Sequence, residues 1–145
     1  MLIKVPPEIQ IKSTIKPGSV YYFPEDALTS EEPHYFIVIN QKADDDVILL
    51  VCASSQIEGV KRRRRHLPGT VVVIKQNQYS GFSHDSIVDC NTVFLRRIDH
   101  LVSKLEQGKL KVKPDMDIMI VEKLRKAMMR SPMVEADKKR LVSPW

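Results

Sequence analysis

The densest chemistry in this 145-residue chain is the run Lys61-Arg62-Arg63-Arg64-Arg65-His66. Consecutive like charges repel one another and gain most from an anionic partner. The planar fork of arginine matches the oxygens of a phosphate. Shortly before the run stand Ser54 and Ser55. Their hydroxyls can hydrogen-bond a phosphate oxygen or cap the turn after a strand. The histidines are His34, His66, His84 and His100, and histidine suits proton transfer near neutral pH. His66 borders the cations, whose charge favours its neutral form and hence a base. His84 precedes Asp85, but neighbours in an extended segment face opposite ways, so adjacency makes no dyad.

Other chemistries find little support. The acidic stretch Glu25 to Glu32 reads as a solvated loop rather than a magnesium site. No P-loop, dinucleotide-binding glycine fingerprint or HExxH motif occurs. Cys52 and Cys90 each sit in an apolar stretch without zinc-ligand spacing, so they read as reduced core thiols and neither metal nor cofactor is expected. Aromatic residues make up 6% of the chain, too few for a stacking platform across a sheet. Tyr79 and Phe82, around Gly81, can stack a splayed base or anchor their loop.

The elements that must position these groups are mostly strands. Strands are expected over Val20–Phe23, Tyr35–Ile39, Val47–Cys52, Thr70–Ile74, Ser86–Cys90 and Val93–Ile98, from their β-branched and aromatic content. The unbroken apolar run from Val47 predicts burial on both faces of its strand. Lys16-Pro17-Gly18-Ser19 is a turn, and 1–14 a lead-in that packs as an edge segment. Polar turns or loops are expected over Pro24–Pro33, Asn40–Asp46, Ser54–Pro68 and Gln76–His84. Leu101, Val102 and Leu105 recur at helical spacing up to Gly108. A short strand through Leu110 and Val112 follows. Pro114 then opens the clearest helix, with Asp115 and Asp117 in its first turn, and Pro132 ends it. A last short turn of helix is expected over 136–142. The expected organisation is one domain, mainly β, with a barrel over about 15–113 and a helical part over about 114–145.

A hydrophobic content of 43% and a charged content of 28% exclude a disordered chain. The longest apolar runs fall well short of the roughly 20 residues of a membrane span. The first sixteen residues lack the pattern of a signal peptide, and a cytoplasmic protein is expected. The formal net charge of +5 favours polyanionic partners, nucleic acid foremost.

The order of features resembles the MazF/PemK toxin family from about Lys16 to Met129. Lys16-Pro17-Gly18-Ser19-Val20-Tyr21 is similar to that family's opening turn and first strand. The stretch from Pro33 to Asn40 is similar to its second strand, and Ala53-Ser54-Ser55-Gln56 to the Thr-Ser-Gln after its third. Asp85 to Asn91 resembles its Asp-Ser-containing strand, and the helix from Pro114 to Met129 falls at its closing helix. The resemblance implies an SH3-like β-barrel and a homodimer that cuts single-stranded RNA without a metal and is neutralised by an antitoxin protein. It gives Ser54 a phosphate-holding role and brings in His34, near the family's arginine. That arginine, just before the second strand's proline, is Glu32 here, preceded by Glu31. The cationic run is then a substitute arginine source and a clamp on the RNA backbone, or a docking site for an acidic antitoxin. The candidate catalytic residues are therefore Ser54, Ser55, His66 and His34. The candidate RNA-binding residues are Lys61, Arg62, Arg63, Arg64, Arg65 and Lys75. The alternative is a catalytically inactive barrel that holds nucleic acid or an acidic protein.

Overall fold

The computed structural model describes residues 5–28, 32–40 and 47–142. Glu31, most of the turn expected after Asn40, and the last three residues of the tail lie outside them. The strands are β1 (Val20–Phe23), β2 (His34–Val38), β3 (Val47–Ser54), β4 (Val71–Ile74), β5 (Ser86–Asp89), β6 (Phe94–Arg97) and β7 (Lys111–Lys113). The helices are α1 (Pro7–Thr14), α2 (Ile57–Arg63), α3 (Ile98–Glu106), α4 (Ile118–Arg130) and α5 (Ala136–Arg140).

All seven strands join one antiparallel sheet in the order β4-β5-β3-β2-β1-β7, with β6 also paired to β3. β6 takes the first half of β3, from Val47 to Leu50, and β5 takes Ala53 and Ser54. The two therefore lie end to end along one edge of β3, separated by the turn at 90–93. The expectation of a mainly β barrel holds only in part. Among the described residues the sheet is antiparallel but not closed, and five α-helices make the fold mixed α/β.

Alternation along the strands explains why helices cover both faces. Val20, Ile37, Ile39, Leu49, Val51 and Ala53 point to one face and pack with Val121, Leu124 and Met128 of α4. Tyr21, Phe23, Phe36, Val38, Ile48 and Leu50 point to the other and pack with Ile11 of α1 and Ile98 and Leu101 of α3. The continuous apolar run of β3 is thus buried on both sides, as the sequence predicts.

Two segments expected to be irregular are helical. Pro7 stands at the start of α1, where a proline's missing N–H costs nothing, and Ile11 is fully buried. α2 carries Lys61, Arg62 and Arg63 in its last turn, where positive charge suits the helix dipole. The cationic run is therefore half helix, not loop. α4 begins later than expected, at Ile118. Asp117 caps it by accepting a hydrogen bond from Met119 N–H at 2.7 Å. The turn at Gly18 adopts φ +94, and a Cβ there would lie 2.8 Å from the Met116 carbonyl oxygen. Gly18 N–H donates to Val38 O at 2.9 Å, and Met116 N–H to Gly18 O at 2.8 Å. The chain entering α4 is thereby tied to the start of β1 and the end of β2.

Candidate functional site

Residues singled out in the sequence meet where β2 begins and β3 ends. The register that pairs Tyr35 with Ala53 brings His34 opposite Ser54. Directly opposed cross-strand side chains are close neighbours. Two clefts open here, and His34 and Ser54 are the residues that border both.

The first cleft, of about 280 Å³, lies on the face of the sheet that α4 covers further along. Its apolar wall is Tyr22, Tyr35 and Phe82. The Tyr22 and Tyr35 rings are 4.6 Å apart, and the Tyr35 and Phe82 rings 5.1 Å apart. Its rim is polar and includes Ser55, Gln56, Ser83, His84 and Glu32. Burial, with a lesser contribution from Tyr22, raises the Tyr35 hydroxyl above its ordinary value, so it remains a neutral donor at physiological pH. Ser54 Oγ accepts a hydrogen bond from Gln56 N–H at 3.0 Å. It therefore caps the turn into α2 and keeps its own proton for another acceptor.

The second cleft, of about 210 Å³, lies on the opposite face, beside Phe94. Cys52, Val60, Arg63 and Asp89 line it. Burial pushes the Cys52 thiol up to about 12, which removes it as a nucleophile at neutral pH. Asp89 is engaged by its own neighbours. Its Oδ2 accepts from Arg64 Nε at 2.9 Å, and its Oδ1 accepts from Asn91 N–H and Nδ2 at 3.1 and 2.8 Å. Arg63 is exposed and forms no ion pair among the described residues. It is the cation this cleft offers to an anion.

The sequence-derived candidates thus separate. His34 and Ser54 come together, with Ser55 beside them on the first cleft and Arg63 on the second. Arg64 is a structural partner of β5. Lys61, Arg62, Arg65 and His66 are exposed and border neither cleft. Lys75 lines a separate depression with Gln76, Asn77 and Asp85. Asp85 Oδ1 accepts from Gln76 N–H at 2.8 Å. Tyr79 is an anchor rather than a stacking platform: it is buried and its hydroxyl donates to Pro114 O at 2.6 Å. Glu25, expected in a solvated loop, is 3% exposed and bound by Arg96 Nε. The segment is irregular, as expected, but Glu25 is not solvated, because β6 delivers an arginine to it. Tyr22, Tyr35 and Gln56 were not singled out as site residues. Their signal is positional, since all three flank the strand ends that carry His34 and Ser54.

No family profile matches the chain, and neither does any curated protein. Among the described residues, no helix is long and apolar enough to cross a membrane.

Proposed function

We propose that the paired clefts bind single-stranded RNA and cleave it in the manner of a MazF/PemK-like toxin. The observation that carries this reading is the convergence of His34, Ser54 and Arg63 at one sheet end. A proton-transfer group, a hydroxyl donor and an unpaired cation are what transesterification of a phosphodiester needs. The ribose 2′-OH attacks the adjacent phosphorus and gives its proton to a base, a role for His34. The P–O5′ bond breaks, leaving a 2′,3′-cyclic phosphate, and the departing 5′-oxygen takes up a proton. Ser54 Oγ donates to a non-bridging oxygen, and Arg63 balances the charge that accumulates there. Arg63 reaches the site from α2 and so replaces the family's arginine, whose place before Pro33 is taken by Glu32. The open seven-stranded sheet is read as an SH3-like barrel variant. A homodimer and a neutralising antitoxin belong to the same proposal.

Glu32 on the rim of the first cleft favours a second reading, in which RNA is held but not cut, because a carboxylate beside the phosphate opposes its approach. One experiment separates the two. The purified protein is incubated with single-stranded RNA in a chelator across pH 5 to 9. Fragments ending in cyclic phosphate, lost in Ser54→Ala and Arg63→Ala, establish cleavage. Salt-dependent binding without fragments, with cleavage appearing in Glu32→Arg, establishes the second reading. Neither binding nor fragments removes both.

A further inference from the structure

The two clefts lie on opposite faces of the same sheet. Tyr22, Tyr35 and Ala53 share a face with the α4-packed cluster, whereas His34, Cys52 and Ser54, one residue along, belong to the other. β5 repeats the division: Ser86 borders the first cleft, and Ile87 and Asp89 the second. His34 and Ser54 border both because they stand where their strands end. Beyond them no further residue of either strand separates the faces. A ligand that fills both clefts must therefore pass over the end of β2 and β3.

The two sides differ in chemistry. The first offers aromatic rings and a polar rim, at a size near the lower bound of small-molecule pockets, about 300 Å³. Lys113 Nζ lies 5.4 Å from the centre of the Tyr22 ring, and Glu32 stands on the rim of the cleft. The second offers the Arg63 guanidinium and little ring surface beyond Phe94. Stacking of unpaired bases on aromatic side chains combined with cations along the backbone is how single strands are held without a duplex.

Resting on the RNA reading, we infer that the single strand straddles the sheet end, with two consecutive nucleotides on opposite faces. One base stacks in the Tyr22–Tyr35–Phe82 cleft. The phosphate that follows or precedes it crosses the His34–Ser54 ridge. The neighbouring nucleotide enters the second cleft, from which Arg63 reaches the crossing phosphate. The footprint is thus one read base and one unread neighbour, and a duplex is excluded because its bases do not splay across a sheet end.

The test uses the full chain and 2′-O-methyl tetranucleotides, which cannot be cut, with a single abasic unit moved through the four positions. The expected result is one position at which the abasic unit weakens binding about tenfold, with small effects elsewhere. Tyr22→Leu should lose a similar factor and become insensitive to the abasic position, while Tyr22→Phe behaves as the parent. Arg63→Ala should weaken all tetranucleotides alike and lower the salt slope by about one phosphate. The walk on the unaltered protein needs no variant to fold. A flat walk together with parent-like binding by Tyr22→Leu, while RNA is still cleaved, overturns the straddle and leaves the RNA reading standing. Failure to bind or cut any RNA overturns both.

Discussion

Arg64 and Asp89 form a half-buried ion pair, Nε to Oδ2 at 2.9 Å, that ties the end of α2 to the last residue of β5. The pair divides the basic run. Arg64 is used up in holding α2 against the sheet, with a further contact from its Nη1 to Met133 Sδ at 3.4 Å. Arg63, one residue earlier and about 100° around the helix, is turned to the second cleft instead.

Neighbouring arginines should therefore fail in different assays. Arg64→Ala removes a charged hydrogen bond from a partly enclosed carboxylate and should cost about 1.5–3 kcal/mol of stability. Arg63→Ala should stay within about 0.5 kcal/mol of the parent in stability, yet lose RNA affinity with a salt slope lower by about one. Urea unfolding and salt-dependent anisotropy on the two variants check this. Equal stability losses in both would show that Arg63 is structural too.

The histidines allow a similar separation. His34 borders both clefts and its Nδ1 is enclosed without a hydrogen-bond partner among the described residues. His66 is exposed and borders neither. If His34 moves the proton, His34→Ala should reduce single-turnover cleavage by about a hundredfold or more, and His66→Ala should leave it unchanged. The reverse pattern would return the proton transfer to the cationic run.

Asn91 should be a stability centre although nothing in the sequence marks it. It is 5% exposed. Its Nδ2 donates to Thr70 Oγ1 and Asp89 Oδ1, both at 2.8 Å, and its Oδ1 accepts from Ser131 Oγ at 2.6 Å. It thereby joins the approach to β4, the end of β5 and the end of α4. Asn91→Ala strands several buried polar groups at once, each worth about 1–3 kcal/mol. A loss larger than that of Ser131→Ala is expected in thermal unfolding. A small and equal loss would mean that water replaces the side chain.

What was legible in the sequence follows from how local the signal is. β1 to β6 were readable because alternation and β-branched residues act within a few positions, and the run Val47–Val51 announced a strand covered on both sides. α2 was not readable, because only Ile57 and Val60 mark its inner face and charged residues fill the rest. α1 was hidden in the same way behind Pro6 and Pro7. The site was half legible. His34 and Ser54 sit at strand ends; the strand pattern places His34 just before its strand and Ser54 in the loop after Cys52, and β3 runs two residues further. Which member of Lys61–Arg65 points inward depends on the phase of a helix whose start the sequence does not mark. Tyr22 and Tyr35 read as ordinary strand residues, since their exposure depends on how far α4 reaches along the sheet.

The acidic residue beside β1 makes a pH prediction with a definite sign. Burial of Glu25 pushes its carboxyl up. The hydrogen bonds from Arg96 and Ala27 N–H, with the charges of Arg96 and His100, outweigh this and leave it below its ordinary value. His100 Nε2 lies 3.6 Å from Glu25 Oε1. The folded protein therefore binds this proton less readily than the unfolded chain. The stability that Glu25 contributes is complete above the ordinary carboxyl value, near 4.5, and is lost as pH falls through the lowered folded value. Glu25→Gln should then be destabilised relative to the parent at pH 7, and the gap in urea midpoints should shrink on acidification below about pH 4.5. Arg96→Met should weaken this dependence, because only the Ala27 N–H hydrogen bond and the His100 charge then oppose the desolvation of the carboxylate. A gap between Glu25→Gln and the parent that does not change with pH would show that the carboxylate acts through shape alone and that Arg96 does not stabilise its charge.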